Sequence, residues 1–371
     1  MSELWLRIDE AAAAAARQPG AAPATLLGVV QDLAARGAPS ARAWLDAAIA
    51  ASQMGAAVAH AVRADLLARL GDVAGYHASA REVRAAMRQV DAQAQATLAA
   101  YLAAGAETLG LVELADELMP PGPAIATNAA RAVERGDPVR AELLMRRPAW
   151  KKLDWTSRVP VMIAVAQAHA QGSAADRARE VLADAEASAR RGKKAQLRLP
   201  LLVRIATAYA EVGADADARR LAGELDRAMF DKAAPRGAIE YGDIAVVLHR
   251  VGAHAMAREI ASDIEATWVG RGDPLVAAQV WARIDEAPRA HRLLDPREAA
   301  AEDGEIGDDV ELASIARTHL ALGDVAAAIH RAATASLDQR VRLLREIAAY
   351  CRATAVVATP AITAALAEVA A

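Results

Sequence analysis

The chain has 371 residues, more than one simple hydrophobic core accommodates, so two or three domains or a repeat array is expected. It is 54% hydrophobic but only 3% aromatic, and a net charge of −4 with a pI near 6.1 removes the electrostatic case for a dedicated nucleic-acid binder. Cys351 is the only cysteine, which excludes an intrachain disulfide and a zinc–cysteine cluster.

Much of the apolar content is alanine, as in "DEAAAAAARQ" and "DVAAAIHRAA". Alanine combines the highest helix propensity with little bulk, which suits many closely packed helices rather than strands. The first element, residues 1–23, reads as an N-terminal segment or capping helix. Its opening "MSELWLRIDE" carries acids where a signal peptide needs basic residues, so a cytoplasmic location is expected. The longest uncharged stretches, such as "AAIAASQMGAAVAHAV" (47–62), are mainly alanine and shorter than a membrane span.

Residues 24–119 read as degenerate helical repeats punctuated by Gly37, Gly71 and Gly105. The stretch "ELMPPGPAIAT" (117–127) holds three prolines and a glycine, so no helix runs through it, and a break is placed at 120–124. From 125 to 358 the repeat is clearer. An Ile-Ala pair is followed, eight residues after the Ile, by a small residue: Ile205/Gly213, Ile244/Gly252, Ile315/Gly323 and Ile347/Ala355. Ile163/Gly172 fits with one extra residue. A second small residue follows five positions after the turn at Ala141, Ala218, Ala257 and Ala328. Residues 359–371 read as a C-terminal capping helix.

The marker glycines 37, 71, 105, 136, 172, 213, 252 and 323, with Asp285 filling the gap, are separated by 31 to 41 residues. A period of this size marks stacked helical pairs. Each glycine is expected to end a first helix in the left-handed conformation that satisfies its last carbonyls. Asp72, Asp137 and Asp324 then cap the second helix. The alanine five residues beyond the turn sits where two antiparallel helices cross closely. In the last first-type helix, Val341, Leu344, Ile347, Ala348 and Cys351 recur at steps of three and four, an apolar stripe on one side.

On these residues the chain resembles the tetratricopeptide repeat family. The likeness rests on the period, on the small residue inside the first helix (Ala206, Ala245, Ala316), and on Gly-Asp-x-x-x-Ala at the turn. Tyr209 and Tyr241 stand where that family often has aromatics. Most other aromatic positions hold Leu or Ala, and several units lack the family's closing proline. The resemblance implies an all-α, right-handed superhelical solenoid of about nine stacked antiparallel helix pairs. It also implies a non-catalytic scaffold or adaptor that binds a peptide or partner helix along its concave face. Armadillo or HEAT-type pairs are the other helical geometry compatible with the pattern. The family members that clamp a C-terminal carboxylate use groove asparagines, and here Asn128 is the only asparagine.

No phosphate-binding loop, H-E-x-x-H or G-x-S-x-G motif occurs, so no cofactor is expected, and an all-helical enzyme without a recognisable motif is an alternative. His249 and His254 flank a turn on different helices and are not expected to bind metal. The acidic loop in 297–312 (Glu302, Asp303, Glu305, Asp308, Asp309, Glu311) lacks the order that wraps calcium.

Two positive features are candidates for partner binding. Arg342, Arg345 and Arg352 fall in a narrow arc opposite the Val341–Leu344–Cys351 stripe, and Arg317 of the preceding unit aligns with them. Four guanidinium groups facing a groove would suit an acidic partner. The alternative patch joins "RRPAWKKLDWTSR" (146–158) to "RRGKKAQLR" (190–198). It comprises Arg146, Arg147, Trp150, Lys151, Lys152, Trp155, Arg190, Arg191, Lys193 and Lys194, flanked by Arg158 and Arg198. Loops one repeat apart lie on one edge of a helical stack, so the patch could serve a nucleic-acid-associated protein, with the tryptophans stacking, or an acidic protein partner.

Overall fold

A computed structural model describes residues 4–18, 21–36, 38, 40–52, 54–119, 124–225, 237–270, 273–304 and 308–370. The described residues form 22 helices and no strand. In chain order, α1 spans Leu4–Ala15, α2 Pro23–Ala35, α3 Ser40–Ala51, α4 Ala56–Arg69 and α5 Val73–Met87. Next come α6 Ala92–Thr108, α7 Val112–Leu118, α8 Ala124–Glu134, α9 Pro138–Met145 and the short α10 Pro148–Lys151. The long pair α11 Trp155–Gln171 and α12 Ala175–Arg190 precedes α13 Ala195–Glu211, α14 Asp215–Glu224, α15 Gly237–Arg250 and α16 His254–Val269. The chain ends with α17 Pro274–Arg283, α18 Ala287–Glu302, α19 Asp309–Ala321, α20 Val325–Thr334, α21 Leu337–Thr354 and α22 Pro360–Ala370. No described helix is long and apolar enough to cross a membrane.

The turns explain why these helices pair. Gly71, Gly136, Gly213, Gly252 and Gly323 all have φ between +72° and +83°. The same left-handed geometry is taken by Asp285 and Ala355. At each, the next residue's N–H reaches back to the carbonyl five residues earlier, as in Ala214 to Tyr209 (2.8 Å) and Asp324 to His319 (2.9 Å). This bond closes a Schellman turn and reverses the chain. Asp72, Asp137 and Asp324 cap the following helices by accepting from the N–H of Gly75, Arg140 and Ala327. A β-branched side chain cannot take this backbone cheaply, so Gly323→Val is expected to lower stability by about 1–2 kcal/mol in chemical denaturation.

Two turn residues differ from the sequence expectation. Gly105 lies inside α6, and the left-handed turn falls at Gly110 (φ +73°). Gly172 caps α11 with φ −82°, and Ser173 (φ +63°) makes the turn. Gly37 lies outside the described residues. With Ser173 as the turn, the eight-residue spacing of that unit starts at Val165–Ala166 and not at Ile163. Seven positions before nine of the ten left-handed residues described, all but Gly304, stands a buried alanine: 64, 103, 129, 166, 206, 245, 278, 316 and 348. Five positions after seven of these turns stands another: 115, 141, 178, 218, 257, 290 and 328. These pairs set the close crossing of each hairpin. Ala257→Leu is therefore expected to overpack its crossing and cost about 1–3 kcal/mol, read as a lowered urea midpoint. The stripe Val341, Leu344, Ile347, Ala348 and Cys351 is likewise buried.

The chain divides into two compact units, Met1–Gln89 with Gly272–Ala371, and Val90–Arg271. The span 24–119 therefore contributes to both. The proline break at 120–124 lies, except for Ala124, outside the described residues. In the second unit the hairpins are α6/α7, α8/α9, α11/α12, α13/α14 and α15/α16. Their first helices pack in series, α6 on α8, α8 on α11, α11 on α13 and α13 on α15.

The first unit is assembled from both ends of the chain. Its first helices pack in series as α17, α19, α21, α2 and α4, with α17/α18, α19/α20, α2/α3 and α4/α5 as hairpins. Instead of covering an end, α1 packs against α21, α2 and α22. Its Leu4, Ile8, Ala12 and Ala13 share one buried cluster with Val341, Leu344, Ile347 and Ile362. Asp9, fully buried on α1, is held by the Arg36 guanidinium at the end of α2.

Candidate functional site

Successive hairpins are tied by carboxylate–arginine pairs that recur at the repeat spacing. Arg140 on α9 holds Glu107 of α6 (3.1 Å) and Asp116 of α7 (2.5 Å). Arg177 on α12 donates to both oxygens of Glu142 on α9 (2.8 and 2.5 Å). Arg220 on α14 donates to both oxygens of Glu186 on α12 (3.1 and 2.8 Å). In the other unit Arg331 on α20 donates to Glu298 on α18 (2.7 Å). A first-helix side chain stands beside three of the four: His169 and Tyr209 hydrogen-bond Glu142 (2.7 Å) and Glu186 (3.4 Å), and His319 lies 3.2 Å from Glu298 without hydrogen-bond alignment. All three stand four residues before their left-handed turn. The ladder fixes one hairpin against the next and pairs the buried Glu107, Glu142, Glu186, Arg140 and Arg331.

Burial pushes the Glu186 carboxyl up, but hydrogen bonds from Arg220 and Arg190 outweigh it and hold it below the usual carboxylate range. Arg177 holds Glu142 down against burial, with His169 assisting. Burial likewise opposes, and His319 with Arg331 overcomes it, at Glu298. A depressed carboxyl contributes stability above its unfolded value, about 4.3, and loses it as pH falls through the lower folded value. The melting temperature is expected to stay level from neutrality to about pH 5 and to fall below about pH 4, less steeply in Glu186→Gln. Thermal melts across that range check both.

The arginines opposite the α21 stripe do not form one open patch. Arg345 donates to Asp32 of α2 (2.6 Å), and Arg317 forms a two-point pair with Glu346 (both 2.8 Å). Arg352 lies 5.6 Å from the Trp5 ring centroid. Arg342 is exposed. The cause is the placement of α1 and α2 against α21, which the local periodicity does not encode. Charge reversal of Arg345 would set a carboxylate against Asp32, so this substitution tests folding rather than binding.

The two basic stretches are brought together. Trp155, at the start of α11, lies on Gly192, where an added Cβ would come within 2.5 Å of the ring. Arg158 donates to Ser188 (3.4 Å) across the same junction, and Arg198 donates to the Gly192 carbonyl (3.3 Å). Lys194 is close enough to Asp154 to act with Arg158 in lowering its carboxyl, after the hydrogen bonds from Thr156. Trp150 is only 5% exposed and seals a junction instead of offering a stacking face.

The cations of the patch then separate by type. Arg147 pairs with Asp116 (2.8 Å), Arg146 approaches Glu142 (3.5 Å), and Arg190 is held by Glu186 and Glu224. Arg191 donates to the Ala187 carbonyl (3.1 Å). Lys151, Lys152, Lys193 and Lys194 are all exposed and form no ion pair among the described residues. Only five of the 43 basic residues are lysines, and these four are among them. Counting lysine and arginine together hides that signal.

The remaining candidates behave differently. His249 and His254, on the two helices that flank the turn, face each other with ring nitrogens 3.1 Å apart. The acidic segment is partly spent internally: Glu302 on Arg331, Asp309 on Ser336 and Glu311 on Arg297. Glu305 lies outside the described residues. Asn128 is completely buried on α8, out of reach of any ligand carboxylate. No protein-family model matches this chain, and no curated protein matches its sequence.

Proposed function

We propose that this protein is a non-catalytic interaction scaffold, a cytoplasmic adaptor that holds a peptide or helix of another protein. In this reading the serial hairpins within each unit wind as a right-handed solenoid of the tetratricopeptide kind. The observation that carries it is the ladder together with the turn alanines. Residues spaced by the repeat are devoted to locking hairpin on hairpin, which builds a rigid extended surface of the sort that helical arrays use for partners. The buried carboxylates Glu107, Glu142 and Glu186, which an enzyme could deploy as acids or bases, are engaged instead by structural arginines.

The test is affinity capture with the full chain from native extract, followed by reconstitution of each candidate as a purified pair. A saturable complex with a defined protein is expected. Failure of every candidate to bind directly, or turnover of a small molecule by the pure chain, would overturn the reading.

A further inference from the structure

We infer that the edge formed by Lys151, Lys152, Lys193 and Lys194 docks a short acidic segment of a partner protein. The proposal rests on the scaffold reading and adds the surface and the partner's chemistry. Two independent observations carry it. The first is compositional: the chain uses arginine almost everywhere, and in the ladder arginine meets carboxylate in fixed, two-point geometry. Lysine is concentrated in two short loops, and there no carboxylate of the described chain pairs with it. Arginine suits fixed buried pairing, whereas the compact, hydrated ammonium on a flexible stem suits an adaptable contact at a wet surface.

The second observation is geometric. The loops are 41 residues apart in sequence, from Lys152 to Lys193, yet the Trp155–Gly192 contact clasps them into one edge. Gly192 is buried under that ring, so the clasp tolerates no side chain there. Four like charges on one edge, of which only Lys194 has a carboxylate near enough to act on, Asp154, cost the free protein self-repulsion, which an acidic occupant would remove. The one carboxylate in the clasp, Asp154, is engaged by Thr156 as the cap of α11.

The same features favour protein over nucleic acid. Single-stranded binders stack bases on free aromatic faces. Here Trp150 is buried and Trp155 is laid on Gly192. A long polyanion would also meet the rest of a molecule whose net charge is −4. A short segment meets only the edge. Beside it, Arg198 and Arg190 share a cavity of about 460 Å³ with Leu199, Leu202, Leu225 and Glu224. That mixed lining suits a nonpolar side chain next to acids.

The experiment is fluorescence anisotropy with two labelled probes, a short oligoglutamate peptide and a single-stranded oligonucleotide of equal charge. The full chain is titrated at low salt and again near physiological salt. The peptide is expected to bind the wild type, more weakly as salt shortens the screening length. Lys151→Glu/Lys152→Glu/Lys193→Glu/Lys194→Glu should lose more than about tenfold in affinity, and Arg81→Glu/Arg84→Glu, on α5, should not. The lysines are exposed, so the quadruple variant should keep the wild-type circular dichroism melt; the two loop pairs reversed separately give milder variants. No peptide binding at low salt, equal binding by the variants, or tighter binding of the oligonucleotide would each overturn the proposal. Self-association abolished by the quadruple variant would reassign the edge to a second copy of this chain. A captured partner that binds wild type and quadruple variant equally would remove the edge while leaving the scaffold reading in place.

Discussion

Arg140→Met is expected to destabilise the Val90–Arg271 unit by about 3–5 kcal/mol. Arg140 is the shared cation of two carboxylates from the preceding hairpin, and Glu107, one of them, has no exposed side-chain area at all. Removing the guanidinium leaves Glu107 with Arg135 alone, at 3.1 Å, and frees Asp116 to lean on Arg147. An undercompensated buried charge is far costlier than the pair is stabilising, because the desolvation of the carboxylate is no longer offset. The companion Glu107→Gln/Arg140→Met should recover much of the loss, since no ionised buried group remains on α6. Urea melts of the two variants measure the difference. Equal losses in both would show that packing, not charge, sets the cost.

Arg36→Met is expected to cost a similar amount, about 3–5 kcal/mol, with an effect that reaches the other end of the chain. Asp9 is completely buried on α1 and its described partner is Arg36. That guanidinium already titrates low, first because burial disfavours its charge and then because Arg352 and Arg345 lie near it. Without the pair, α1 should detach, and α1 packs on α21 and α22. Hydrogen exchange should therefore accelerate in 341–351 as well as in 4–15. Protection unchanged at 341–351 would mean that α21 does not depend on α1.

The local architecture was largely legible because its cause is local. A chain reversal between antiparallel helices needs a left-handed residue, glycine takes it most cheaply, and alanine marks the crossing. The same reasoning misread Gly105, since a glycine buried within an alanine-rich helix looks like a terminator. It also passed over Ser173, which adopts the strained conformation without advertising it. The pairing of α1 with α21 joins residues more than three hundred positions apart, and no periodic pattern specifies such a contact. For that reason the arginines of α21 read as a free face when Arg345 and Arg352 in fact meet α2 and α1. The ladder was hidden differently. Its members recur near the repeat period, but each is one arginine among many, and only geometry shows which of them are buried. The lysine edge was visible as two basic loops; what set it apart was the rarity of lysine and the clasp of Trp155 on Gly192.

The central claim is that this chain works by holding another protein through an exposed surface on a rigid stack. Its most direct measurement is isothermal titration of the purified full chain with the purified partner obtained by capture, at two salt concentrations. Saturable binding of defined stoichiometry, weakened by salt and by reversal of Lys151, Lys152, Lys193 and Lys194, is the predicted result. The absence of any saturable heat with every captured protein, in a chain whose circular dichroism shows it folded, would contradict the claim.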